Sequence, residues 1–225
     1  MADAAIPRLR LGLGGGYCAG KSGAAEWLKK RGFALFDADA AGHAAIEAER
    51  ESLVAAFGAG IVAEDGKVSR PRLAAMVFSD REKRERLEGI IHPAVNDMAL
   101  DWLAARPHSD LAVHAALLHA MPLVWGFDAV LIIRAPWLLR LWRGTRRDKR
   151  GWGASLKRLC SQRGFDAKLK RAAREAGVRV IQIGNLGTKE RLGKRLDQAL
   201  LALRAEKAKK LGLNFGAETP ILKGN

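Results

Sequence analysis

Apolar and polar positions alternate near the start of the chain. Leu9, Leu11 and Leu13 interleave with Arg8, Arg10 and Gly12, the period-two pattern of a short strand. A glycine-rich turn follows, then a helical pattern over about residues 21–31 that Gly32 ends. Residues 33–36 form a short apolar run suited to a buried strand, and it stops at Asp37-Ala38-Asp39. Strand, glycine loop, helix and strand in succession make a βαβ unit, which requires a parallel sheet.

The next stretch, about residues 40–106, reads as helical and carries no strand pattern, with breaks at Gly58 and at the Asp65-Gly66 turn. Ser69 is placed to cap a helix that begins Arg70-Pro71. Ser79 with Glu82 forms a capping box, which satisfies free N–H groups in a first helical turn. His92-Pro93 marks a kink or a helix boundary. Strands resume at about 111–118 and 129–133, a very basic helical segment spans about 136–176, and 178–183 is the last strand. Thr188 caps a final helix in which Leu192, Leu196, Leu200 and Leu203 share one face. Patterning is weak after Lys210.

Composition narrows the class without choosing the chemistry. The 225 residues, 48% hydrophobic, suffice for one packed domain with insertions. No apolar run of about 18 residues predicts a membrane span. The opening MADAAIPRLR lacks the apolar core of a signal peptide, so a cytoplasmic protein is expected. Cys18 and Cys160 stand far apart with no metal-ligand spacing. The net charge of +15 draws anions. A solvated basic face, a nucleic acid and a polyphosphate substrate would each account for it.

The chemistry enters with Gly15-Gly16-Tyr17-Cys18-Ala19-Gly20-Lys21-Ser22, which matches G-x-x-x-x-G-K-[ST] between a strand and a helix. Glycines let the backbone turn successive N–H groups toward phosphate oxygens, and the helix that follows adds its N-terminus. Lys21 would reach the β- and γ-phosphates and Ser22 would offer its hydroxyl to Mg²⁺. Gly23 costs helix stability where close ligand approach is wanted. Asp37 and Asp39 sit where the second strand ends, the edge at which open α/β sheets bind ligands. Two positions apart in an extended segment, they would point the same way, to bind Mg²⁺ or take a proton from an attacking hydroxyl. The alternative is that Asp39 caps the next helix. In the basic segment Arg143 and Arg147 are four apart and share a helix face suited to clamping phosphates. Arg146, Lys149 and Arg150 read as generic surface charge. The five histidines show no metal-binding spacing, and His92 reads as structural from the sequence alone.

Taken in order, these pieces resemble the dephospho-CoA kinase family. The segment LGLGGGYCAGKS is similar to that family's first strand and P-loop, and Phe36-Asp37-Ala38-Asp39 to its hydrophobic-Asp-Ala-Asp motif. Gly58, Asp65-Gly66, Ser69-Arg70, Leu73, Val77-Phe78, Leu87 and His92-Pro93 resemble its helical CoA-binding region. Leu117-Leu118, Ala135-Pro136, Arg143, Arg147-Asp148, Gln162, Asn185 and Gly187 resemble later landmarks, over about residues 9–200 in all. The resemblance implies a three-layer α/β/α P-loop core (about 8–40, 110–136 and 178–210) with a parallel sheet, a helical substrate-binding insertion (about 41–108) and a helical lid (about 137–177). It implies phosphoryl transfer from ATP to the ribose 3′-hydroxyl of dephospho-CoA, with Mg²⁺. Gly16 and the run Tyr17, Cys18, Ala19, Gly20, Lys21, Ser22 and Gly23 would hold the ATP phosphates. Arg143 and Arg147 would act from the lid, with Arg147 catalytic beside Lys21, and Asn185 would lie near the adenine. Asp39 would be the base, Asp37 would support the metal or the ribose, and Arg70 and His92 would lie on the acceptor side.

Departures accompany the likeness. The family's acidic residue, proline and glutamate around the leucine pair are here His114, Ala116 and Ala120; its threonine before the loop is Gly14; its aspartate after the last strand is Gly184. Other readings are another P-loop nucleoside or nucleotide kinase, a basic nucleic-acid-binding P-loop ATPase, and a degenerate binding protein. Nucleic acid is disfavoured, because one Tyr and seven Phe supply no stacking pattern. No membrane partner is expected, and a monomer or weak oligomer fits.

Overall fold

A computed structural model describes residues 6–78, 80–115, 118, 126–148 and 151–213. In chain order the elements are β1 (Arg10–Gly15), α1 (Lys21–Lys30), β2 (Ala34–Asp37), α2 (Ala38–Ala48), α3 (Arg50–Phe57), α4 (Arg70–Phe78), α5 (Arg81–Ala104), β3 (Leu111–His114), β4 (Ala129–Arg134), α6 (Trp137–Asp148), α7 (Trp152–Ser161), α8 (Phe165–Glu175), β5 (Arg179–Gly184) and α9 (Lys189–Lys210). They fall into two compact units, one made of the chain up to Phe36 and from Arg106 onward, the other of Asp37–Ala105.

The first unit is built on a sheet of order β2-β3-β1-β4-β5. β1 pairs in parallel with both β3 and β4, and β4 with β5. Alternation along β1 sorts its side chains between two faces. Leu9, Leu11 and Leu13 pack with Leu28 of α1 and with Leu192, Leu196, Leu200 and Leu203 of α9. The glycines take the other face. A Cβ at Gly12 would lie 3.1 Å from Leu118, Phe127 and Val130, and one at Gly14 only 2.4 Å from Leu169 of α8. Gly14 therefore stands where a threonine was expected because α8 occupies the space. Helices on both faces of a parallel sheet give the expected P-loop α/β class.

The second unit is helical, around Leu53, Ile61, Val68 and Leu73. A one-residue antiparallel bridge, Val62 to Val68, spans the Asp65-Gly66 turn and is the departure from an all-helical reading. Pro93 lies inside α5 and ends nothing. Val95, Ala99 and Leu103 bury one stripe beyond it, and that packing outweighs the lost N–H. The cap of α5 is Asp80, whose carboxylate accepts from the Lys83 N–H at 3.0 Å; the expected box on Ser79 lies outside the described residues.

Three further expectations change. β3 stops at His114, four residues short of the expected strand, and Leu118, though buried, is not in it. The basic segment is three helices, with Gly151 and Gly164 as N-caps of α7 and α8. The last strand runs one residue later, to Gly184. Thr188 does cap the final helix, its hydroxyl accepting from the Arg191 N–H.

Two aspartates at the opposite edge of the sheet fix its strands. Asp110 accepts from the Leu9 N–H at 2.7 Å and from Arg204 of α9 at 2.6 Å, while its main-chain oxygen accepts from the Ala34 N–H. Asp128 accepts from the Arg10 N–H and from Lys207. Asp110 and Arg204 are both buried, so removing either strands a charge. Arg204→Ala is expected to lower the unfolding free energy by about 3–5 kcal/mol, read from urea denaturation. A loss under about 1 kcal/mol would show that the pair does not hold α9 to the sheet.

Candidate active site

The glycine loop leaves β1 at its carboxyl end, where β1 is flanked on both sides and buried. Gly15 packs against β4 so closely that a Cβ would lie 2.9 Å from the Ile133 carbonyl oxygen. The loop closes with the Ala19 N–H on the Gly16 carbonyl at 3.0 Å. Cys18 has φ 54°, the one positive φ outside glycine among the described residues. Gly20, at φ 104°, is the N-cap of α1 and supplies no side-chain acceptor, and the first turn holds no acidic residue. With no side-chain cap and no acidic residue there, the head of the α1 dipole favours an anion. Ser22 is exposed, while Lys21 and Gly23 are half-buried.

The loop is held from outside by polar groups from distant parts of the chain. Asn185, buried at the end of β5, donates its side-chain amide to the Ala19 carbonyl at 2.8 Å. Its own N–H is on the Arg134 carbonyl of β4 at 2.6 Å. A Cβ on Gly20 would come within 1.9 Å of the Asn185 amide nitrogen, so only glycine fits there. Asn185 thus spends its amide on the loop. The Tyr17 carbonyl accepts from Arg140 Nε at 2.7 Å, and the Tyr17 N–H donates to Gln162 Oε1.

The arginines of α6 at positions 140, 143 and 147 share a helix face. Arg143 makes a long 3.5 Å contact with the Asn185 carbonyl, and its Nη1 is buried with no partner. Arg140 Nη2 is likewise buried without a partner. Burial lowers the pKa of the Arg140 guanidinium, with Asp166 and Cys18 offsetting part of that effect. Buried, unmatched donors beside an anion-binding loop are costly unless an acceptor arrives. Arg147 stacks over the Tyr17 ring at 5.3 Å. Arg146 stacks instead over Trp142 at 4.4 Å, as surface charge commonly does.

Arg140 and Gln162 are the residues to which the sequence alone assigns no role. The helical spacing 140-143-147 was a usable signal for the first. Gln162 carried only the resemblance, because its target is 145 positions away. A cavity of about 760 Å³ opens at Gly16, lined by Arg134, Arg140, Gln162, Phe165 and Asp166. Gly16 and Arg140 line it, whereas Lys21, Ser22, Arg143 and Asn185 do not.

In the second unit the chain turns helical at once after β2. Asp37 is the N-cap of α2, one carboxylate oxygen accepting from the N–H groups of Asp39 and Ala40 at 3.0 and 3.1 Å. Two sequence expectations change here. Asp37 rather than Asp39 is the cap. The pair does not lie in one extended segment, because Asp39 is already in the first turn of α2. Arg70 lines a cavity of about 410 Å³ with His43, Glu47, Lys67 and Ser69. His92, half-buried on α5, is not among its lining residues. His114 ends β3 in register with Leu13, whereas Ala116 and Ala120 lie outside the described residues. At Gly184 a Cβ would sit 2.8 Å from Arg195, whose guanidinium donates to the Gly184 carbonyl at 2.6 Å. Among the described residues nothing lies within 4 Å of a Cβ on Gly23, and none of their contacts demands glycine there.

Comparison with known proteins agrees with this geometry. The family model for dephospho-CoA kinase matches residues 9–175. A dephospho-CoA kinase of Anaeromyxobacter dehalogenans is 35% identical over 207 residues, covering 89% of this chain and 95% of the relative. One from Moorella thermoacetica is 34% identical, covering 73% of this chain and 81% of the relative. The crystal structure of TT1252 from Thermus thermophilus superposes with a TM-score of 0.71 at 29% identity, covering 87% of this chain and 97% of that one. With the P-loop, the parallel sheet and the family match coinciding on the same residues, the chain belongs to the dephospho-CoA kinase family.

Proposed function

We propose that this kinase transfers the γ-phosphoryl group of ATP to the ribose 3′-hydroxyl of dephospho-CoA, giving CoA and ADP, the last step of coenzyme A synthesis. The observation that carries the reading is the family match across residues 9–175, which spans the glycine loop, the aspartate pair and the arginine helix together.

Catalysis of phosphoryl transfer rests on positioning and on charge stabilisation. Backbone amides of the run Gly16 to Gly23, apart from those of Tyr17 and Ala19 that bond within the protein, cradle the phosphates, Lys21 neutralises charge on the transferring group, and Arg143 and Arg147 approach from α6. The unmatched Nη1 of Arg143 is the donor an arriving phosphate oxygen would satisfy. Asp39 accepts the proton of the 3′-hydroxyl as its oxygen attacks the γ-phosphorus, and the bond to the ADP oxygen breaks in line. Arg70 and His92 bind the acceptor. Asn185 serves the nucleotide side by holding the loop to which the phosphates bind.

The hydroxyl of Ser22 and the carboxylate of Asp37 are hard oxygen donors of the kind Mg²⁺ takes. Asp37 also commits one oxygen to the α2 cap. Mg²⁺ bound with ATP would neutralise phosphate charge. Among the described residues no helix is long and apolar enough to cross a membrane, and we place the protein in the cytoplasm. The large positive charge suits two polyanionic substrates.

Incubation with Mg-ATP and dephospho-CoA is expected to yield ADP and CoA in equal amounts. Phosphorylation of a nucleoside monophosphate in place of dephospho-CoA would overturn the acceptor. Lys21→Ala should cut turnover by about 100-fold or more with an unchanged circular dichroism spectrum. Asp39→Asn should lower kcat by about 100-fold while the Kd for ATP stays within about twofold; near wild-type turnover would remove Asp39 as the base.

A further inference from the structure

Tyr17 occupies a variable position of the glycine loop, yet it is 9% exposed and belongs to a small core of its own with Leu141 of α6 and Leu159 of α7. Its ring enters the surface of α6 at Gly144. A Cβ there would lie 2.7 Å from the ring carbon Cε1 and 2.8 Å from the hydroxyl. A larger residue at 144 would thus drive the ring out of its seat. The guanidinium groups of Arg147 and Arg158 lie over the ring at 5.3 and 5.9 Å, inside the range of cation–π attraction. The main chain of the same residue is fixed at both ends, its N–H to Gln162 and its carbonyl to Arg140. One residue of the phosphate loop is therefore gripped by α6, by α7 and by the turn after α7.

We infer that Tyr17 is a positioning residue that sets the Arg147 guanidinium relative to the glycine loop, so that the arginine helix and the phosphate cradle hold one geometry. The inference rests on Arg147 acting on the phosphates, as proposed above. Ring and backbone have separable jobs. The backbone bonds hold the loop whatever the side chain at 17. The ring face holds Arg147 through the electron density above it, which an aliphatic side chain lacks. A misplacement of about 1 Å at a reacting centre costs of order 100-fold in rate, so a seat of this kind is felt in turnover more than in binding.

The test uses Tyr17→Phe, Tyr17→Leu and Gly144→Ala, each alone and combined with Arg147→Ala, with kcat and both KM values measured on Mg-ATP and dephospho-CoA. Leucine keeps an apolar side chain against Leu141 and Leu159 but gives Arg147 no ring. The expected result is kcat within about twofold of wild type for Tyr17→Phe and about tenfold lower for Tyr17→Leu. The KM for dephospho-CoA should stay within about twofold in both. In the Arg147→Ala background Tyr17→Leu should cost nothing more, because its effect passes through the absent arginine. Gly144→Ala should reproduce the loss of Tyr17→Leu, and it carries the test if the leucine variant does not fold. Wild-type kcat in Tyr17→Leu and Gly144→Ala, or an equal loss with and without Arg147, would overturn the inference. Full activity of Arg147→Ala would overturn it by another route, through the role given to Arg147.

Discussion

A loop that wraps phosphate must leave most of its N–H groups to the ligand, and here those of Tyr17 and Ala19 are spent on holding its shape, on Gln162 and on the Gly16 carbonyl. The rest of the restraint comes from its carbonyls and its one large side chain. Here Asn185 takes the Ala19 carbonyl, Arg140 takes the Tyr17 carbonyl, and the ring of Tyr17 is buried between α6 and α7. No side chain caps the head of α1. The glycines follow from the same restraint, since a Cβ at Gly16 would meet Arg140 at 2.4 Å and one at Gly20 would meet Asn185 at 1.9 Å. They are the imprint of the clamping side chains as much as of the phosphate.

The sheet supplies the frame for those clamps. β1 lies between β3 and β4, and β5 completes the edge from which Asn185 reaches the loop. At the other end of the strands Asp110 and Asp128 tie the start of β1 to α9. Structural ties are thus collected at one edge of the sheet and chemistry at the other, the usual division of an open α/β sheet. The buried ion pair is costly to desolvate; its carboxylate also takes the Leu9 N–H, while Arg204 Nε is buried with no partner among the described residues.

Much of this was legible along the chain because it is local. The glycine spacing gave the loop, the alternation of Leu9, Leu11 and Leu13 gave its strand, and the four-residue step gave the shared face of Arg143 and Arg147. What escaped was long-range. Arg140 and Gln162 meet Tyr17 across 123 and 145 positions, and nothing in either residue's neighbourhood announces that partner. Asp37 and Asp39 were found as a pair but read as extended, because an N-cap and a strand end look alike until the helix start is known. The strand expected over 111–118 exceeds β3 for a related reason: an apolar run marks burial before it marks strand. Gly14 and Gly184 read as losses against the family pattern, and in the fold a Cβ there would meet Leu169 and Arg195 respectively.

The central claim is that the γ-phosphoryl group of ATP ends on the 3′-oxygen of dephospho-CoA. It is tested most directly with γ-labelled ATP, by locating the label after turnover. The account predicts label in CoA, released by a 3′-specific nucleotidase and absent when dephospho-CoA is omitted. Label recovered as inorganic phosphate, or on a nucleotide other than CoA, would contradict it.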